Sequence, residues 1–186
     1  LSSPPTDLDY ALLQRINRGE QAALEELIRR HERRLYQLAY RLLKDPLEAE
    51  DALQEAFLKA YEHAGRFQPF GTVKAWLNRI TANQCYNRLR GRVSPDSLDD
   101  EDRAPRLASK EATPLEALEE SDLARRLEGL LAALPEKQRR ALVLKRFGDL
   151  SYQEIAEVMG TSSSAVDGLI KRARQFLRKA LAEYLE

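Results

Sequence analysis

Residues 63–95 hold six cations and no acid: Arg66, Lys74, Arg79, Arg88, Arg90 and Arg92. A second acid-free run, 168–182, carries Lys171, Arg172, Arg174, Arg178 and Lys179. In the first run the cations are interleaved with Phe67, Phe70, Trp76 and Tyr86 and with the amides Asn83 and Asn87. Fixed positive charge with aromatics and amides nearby can hold a phosphate backbone and capture bases that have left the stack. One basic run alone is also what a solvated helix face looks like. Two runs, the second on a helix-turn-helix pattern, point to nucleic acid. The overall balance of 30 Lys and Arg against 30 Asp and Glu hides this, because residues 93–120 hold nine acids and three bases; local charge, not the sum, sets what a surface attracts.

Covalent chemistry finds little support. His31 and His63 have no Cys or carboxylate cluster at metal-ligand spacing, and neither a Gly-rich phosphate loop nor a nucleophile motif occurs. His31 reads as a surface or packing residue of the first long helix. The lone Cys85 reads as a buried thiol and excludes an internal disulfide, which suits a reducing compartment. No enzyme activity, cofactor or metal is therefore expected. No apolar run approaches the roughly 18 residues of a membrane span. The opening LSSPPTD lacks the basic and apolar regions of a signal peptide.

Helices must position these residues. Residues 20–43 place Leu24, Leu27, Ile28, Leu35, Leu38 and Leu42 at three- and four-residue steps, an apolar stripe with a charged opposite face. Pro46 is expected to stop that helix. A second helix over 47–63 turns Leu53, Ala56, Phe57, Ala60 and Tyr61 inward and gathers Glu48, Asp51, Gln54 and Glu55 on another face. A Gly- and Pro-bearing loop over 64–72 leads to a helix at about 73–91, with Trp76, Leu77, Ile80 and Leu89 in the core. An N-terminal helix near 7–18 completes the group. Residues 93–120, acidic and with three prolines, read as a flexible linker that becomes helical near Pro114. Beyond it, Leu123, Leu127, Leu130, Leu131 and Leu134 resume the helical period, and a short helix over 134–148 ends at Gly148. Ser151 and Glu154 form a capping-box pattern, Ala156 is small enough for a close helix crossing, and Gly160 permits a tight turn. Val166, Leu169 and Ile170 then return to the core. The fold expected is all-α: two small helical domains, 1–92 and 121–186, joined by the 93–120 linker, the second a helix-turn-helix.

The stretch EELIRRHERRLYQLAYRLLKDPLEAEDALQEAFLKAYEHAGRF, followed by VKAWLNRITANQCYNRLRGR, resembles the first conserved domain of bacterial sigma factors. ALPEKQRRALVLKRFGDLSYQEIAEVMGTSSSAVDGLIKRARQFLRK resembles their promoter-reading C-terminal domain. With only a short linker between them, the chain resembles the extracytoplasmic-function (group 4) class of the sigma-70 superfamily. That resemblance implies a transcription initiation factor that binds core RNA polymerase and directs it to promoters in a stress or envelope response.

By the same resemblance, Glu48, Asp51, Gln54 and Glu55 would dock on the clamp helices of the largest polymerase subunit, with a further contact between the chain and the flap region. Arg66, Phe67, Phe70, Lys74, Arg79, Asn83, Asn87, Arg88 and Arg90 would read and melt the minus-ten element, Phe67 or Phe70 serving either a base or the loop itself. Ser162, Ser163, Ser164, Asp167, Lys171, Arg172 and Arg174 would meet the minus-35 element. Many relatives place Arg and polar residues where this chain has Asp167, Gly168 and Leu169; Asp167 either caps the helix electrostatically or accepts from a cytosine amino group. The acidic linker would run toward the RNA exit path. The resemblance further implies an anti-sigma partner and a bacterial cytoplasmic location, with the chain held at the membrane only through that partner. A stand-alone helix-turn-helix regulator and a helical protein adaptor share many of these residues and remain as alternatives.

Overall fold

The computed structural model describes residues 8–67, 72–92 and 122–185, and every element among them is helical. In order these are α1 (Leu8–Asn17), α2 (Gln21–Leu43), α3 (Pro46–His63), a 3-10 turn (Ala64–Arg66), α4 (Val73–Arg92), α5 (Asp122–Ala132), α6 (Glu136–Arg146), α7 (Tyr152–Met159) and α8 (Ser163–Leu185). The expected acidic linker, its helical start near Pro114 and Phe70 lie outside the described residues.

The stripe on α2 buries Leu27, Leu35, Leu38 and Leu42, and His31 sits within it, four residues from Leu27 and from Leu35. His31 is thus a packing residue, its ring Nε2 2.8 Å from Asp9 Oδ2 on α1. A polar group in an apolar stripe needs such a partner, and here the partner fixes how α1 crosses α2. The boundary between α2 and α3 differs from expectation. Lys44, in the left-handed region at φ 58, ends α2, with its N–H donating to the Tyr40 carbonyl. Pro46 does not terminate the helix before it. It opens α3, where its missing N–H costs nothing, and Asp45 caps that helix by accepting from the Glu48 N–H at 3.0 Å.

Two apolar cores result. One joins α1 to α2, α3 and the start of α4 through Leu12, Leu13, Ile16, Leu27, Leu35, Phe57 and Leu77. The other runs from Leu38, Leu42, Ala49, Ala82 and Leu89 directly into Ala141, Leu144, Leu150, Ile155, Val166 and Ile170. The helices on either side of residues 93–121 are therefore packed on each other. Each fully buried Leu, Ile or Val side chain in this seam stabilises by about 1.5–3 kcal/mol. Arg139, 5% exposed, donates from its guanidinium to the Arg41 carbonyl near the C-terminal end of α2, while the Arg41 guanidinium lies 4.2 Å from the Phe147 ring centroid. These contacts set α6 across the end of α2.

Candidate interaction and nucleic-acid surfaces

On α3, Asp51 and Glu55 are exposed, as expected, and Glu48 is half-buried beside the cap. Arg88 of α4 reaches both acids, its guanidinium 2.6 Å from Glu55 Oε1 and 3.7 Å from Asp51 Oδ2. This cation was expected to face DNA with its neighbours. Instead it is only 24% exposed and ties α4 to the acidic face of α3. Gln54 turns the other way, into an open groove of about 570 Å³ lined by Leu24, Ile28, Leu53, Phe57, Leu58 and Tyr61, with Glu32 and Gln54 as its polar members. Tyr61, expected inward, is 50% exposed, and Leu58 and Leu47 are more exposed still. Their signal was in the sequence: they fall off the Ala49–Ala52–Ala56–Ala60 stripe that α3 buries. An apolar groove beside carboxylates suits a partner helix carrying apolar and basic side chains.

Thr72 caps the start of α4, its hydroxyl oxygen accepting from the Ala75 N–H at 3.1 Å. Arg79, Asn83, Asn87 and Arg90 follow at steps of four, four and three, so one face carries them. Arg79, Asn87 and Arg90 are exposed there and Asn83 is half-buried. Arg90 donates to the Asn87 side-chain oxygen at 3.3 Å. Arg66 is exposed in the 3-10 turn. Phe67 packs edge-on against Trp76, with ring centroids 5.3 Å apart, and also meets Tyr10. It therefore anchors the start of the loop to α4 and α1. Cys85 is fully buried behind this face, and burial pushes its thiol up to about 12.

Contacts across the seam could not be read from local sequence. Lys74 lies 3.6 Å from Asp149, and Arg79 lies 2.5 Å from Glu157. Between them the fully buried Asn78 accepts from Arg34 at 2.9 Å and donates to the Gly148 carbonyl at 2.5 Å. Gly148 is tight as well as terminal, since an added Cβ would lie 2.6 Å from the Leu144 carbonyl oxygen. The partners that meet across the seam are 70 or more positions apart, and helical periodicity carries no information about such pairings.

The helix-turn-helix is built as its sequence indicates. Ser151 and Glu154 form both hydrogen bonds of the capping box, and Gly160 ends α7 in the left-handed region at φ 66. Val166 and Ile170 are fully buried, with Leu169 partly so. Ser162 supplies the cap of α8, accepting from the Ala165 N–H at 3.1 Å. Asp167 lies one turn in and pairs with Lys171 at 2.7 Å, so its carboxylate is directed along the helix face and the hydrogen-bonded cap belongs to Ser162. Ser163, Ser164, Lys171, Arg172 and Arg174 are exposed, and Lys171, Arg174 and Arg178 share one face.

Among the described residues no group of three or more His, Cys, Asp or Glu could hold a metal ion. No described helix is long and apolar enough to cross a membrane.

Known proteins match this layout. The Sigma-70 region 2 family model matches residues 27–94, which contain α3 and α4. The Sigma-70 region 4 model matches residues 124–177, which contain the helix-turn-helix. The RNA polymerase sigma-H factor of Pseudomonas aeruginosa is 34% identical over 184 residues, covering 95% of each chain. The ECF RNA polymerase sigma factor SigE of Mycolicibacterium smegmatis is 38% identical over 172 residues; the match spans 89% of this chain and 65% of that protein. Among solved structures, the sigma factor RpoE in complex with the anti-sigma factor NepR, from Bartonella quintana, superposes with a TM-score of 0.60 at 25% identity, covering 85% of this chain and 96% of that one. The chain belongs to the extracytoplasmic-function sigma factors of the sigma-70 family and acts as an RNA polymerase sigma factor in transcription initiation.

Proposed function

We propose that two segments divide the work of initiation, residues 1–92 docking on polymerase and opening the minus-ten element and residues 121–186 reading the minus-35 element. The acidic face of α3, with Asp51 and Glu55 as its charged pair and Gln54 leading into the apolar groove, docks on the clamp helices of the largest polymerase subunit. The second segment meets the flap region. The exposed stripe of α4, with Arg66 and Lys74 beside it, receives the non-template strand; Phe70, outside the described residues, is given the same role by the resemblance alone. The first turn of α8 and its Lys171, Arg172 and Arg174 contact the minus-35 duplex, mostly through phosphates. An anti-sigma factor holds the chain inactive, as the RpoE–NepR complex suggests for a relative, and tethers it to the membrane from the cytoplasmic side.

The observation that carries this reading is the single-face array of Arg79, Asn83, Asn87 and Arg90, three of them exposed, on the helix next to an acid-rimmed apolar groove. A solitary DNA-binding regulator has no use for that groove. The docking half is tested by co-elution with core polymerase. Asp51→Asn with Glu55→Gln keeps shape and avoids forcing new cations against Arg88. Loss of co-elution is expected; co-elution equal to wild type would refute the docking face.

A further inference from the structure

Helix α1 lies outside the matched segment 27–94, yet it touches the 3-10 turn on either side of Arg66. After Arg66, the half-buried Phe67 ring has its centroid 6.0 Å from that of Tyr10 and 5.3 Å from that of Trp76. Ring pairs at such separations add attraction beyond the area they bury and fix orientation. Three rings thus run from α1, through the end of the turn, to α4. Before Arg66, the Asn17 side chain lies over Gly65, where an added Cβ would stand 2.3 Å from Asn17 Oδ1. The Gly65 backbone is outside the left-handed region, so the closeness of Asn17, and not conformation, is what asks for glycine there.

The brace is itself held. A ten-residue helix is marginal by itself in water, so α1 depends on its packing. Leu12, Leu13 and Ile16 are buried in the cluster that also takes in Leu27, Ala64 and Val73. Asp9 accepts from the Arg30 guanidinium at 3.2 Å and lies 2.8 Å from the His31 ring nitrogen, which fastens the start of α1 to α2. The turn has less of its own. Its closing hydrogen bond, from the Phe67 N–H to the Ala64 carbonyl, is long at 3.4 Å. Arg66 is exposed on that short turn, so its placement is set by the neighbours that α1 touches.

We propose that α1 is a positioning element for DNA contact, with Tyr10 and Asn17 holding the residues that flank Arg66 so that its guanidinium stands beside the α4 stripe and meets the same strand. This rests on the reading of Arg66 and α4 as a DNA-contacting surface. Tyr10 and Asn17 act through Arg66 and need not touch DNA.

The test uses the full chain and a fluorescein-labelled single-stranded oligodeoxynucleotide of mixed sequence, read by anisotropy across a salt series. Arg66→Ala should weaken binding on the order of threefold and lower the salt slope by about 0.7, the loss of one phosphate contact to a single strand. Tyr10→Ala and Gly65→Ala should each reproduce more than half of both changes, with co-elution with core polymerase held at the wild-type level. Tyr10→Phe keeps the ring and should restore affinity and slope. In the Arg66→Ala background, Tyr10→Ala should add nothing, because its effect runs through that cation. Wild-type affinity and slope in both Tyr10→Ala and Gly65→Ala, beside a loss in Arg66→Ala, would overturn the role of α1 and leave the DNA reading standing. Losses that add to that of Arg66→Ala, or that come with lost co-elution, would show α1 supporting the fold at large and overturn the positioning role as well. Arg66→Ala without effect would remove the DNA reading of the turn, and the proposal with it.

Discussion

Helices α4 and α8 are both cationic and both long, yet their charges are spent differently. On α4, Lys74, Arg79 and Arg88 each meet a carboxylate from another helix or from the loop before α7. On α8, among the described residues, Lys171 pairs with Asp167 of its own helix, and Arg172, Arg174, Arg178 and Lys179 make no ion pair. The first helix is a junction whose charges connect three elements, and the second is a surface that already faces solvent. A cation count along the sequence treats the two runs alike. Packing separates cations left open to solvent from cations already paired with carboxylates of other elements.

If the seam makes the two regions one cooperative unit, the largest effect should come from its core. Leu144→Ala removes a fully buried side chain from the shared cluster and should cost about 2–5 kcal/mol in chemical denaturation. Trp76 lies in the other cluster, so its fluorescence should report the same shifted midpoint as helix loss followed by circular dichroism. An unshifted Trp76 transition would mean that the two regions unfold separately.

Next in size is the difference between the cations themselves. For duplex DNA of mixed sequence, Arg174→Ala should weaken binding and reduce the salt slope by about 0.9, the loss of one phosphate contact. Arg79→Ala in the otherwise wild-type chain should change both by less, because Glu157 already occupies that guanidinium. Equal effects from the two substitutions would erase the contrast.

The smallest effect concerns acid. Burial would raise the Glu136 carboxyl pKa, but hydrogen bonds and charge from Arg139 and Arg140 outweigh it and hold the group below its ordinary value of 4.5. A carboxyl depressed on folding stabilises fully above that ordinary value, and its contribution fades as pH falls through the lower folded value. Glu136→Gln should therefore be less stable than wild type at neutral pH, the difference shrinking below pH 4.5. A difference that stays constant on acidification would show that the ion pairs on Arg139 do not brace the seam.

Local signals made most of the fold legible. The apolar period set α2 and α3, the Ser151–Glu154 spacing set the start of α7, and Gly160 set its end. Each works within a few residues, where sequence and geometry are directly linked. Pro46 was misread because proline both ends one helix and begins the next, and only the conformation of Lys44 distinguishes the two. Of the site residues, the α4 stripe followed from its helical spacing. The engagement of Arg88 with α3 did not, because a helix period gives the direction of a side chain and not what lies opposite. The pairings of Asp149 and Glu157, and the contact of Asn78 with the Gly148 carbonyl, were missed for the same reason.

The central claim is that this chain directs polymerase from a docking face on α3 that is distinct from its DNA-contacting helices. Run-off transcription with core RNA polymerase on fragmented genomic DNA tests it most directly. Wild-type chain should give discrete start sites, and Asp51→Asn with Glu55→Gln should lower their yield on the order of tenfold without moving them, as loss of two interfacial charges implies. Absence of discrete starts with the wild-type chain, or full yield from the substituted one, would contradict the account.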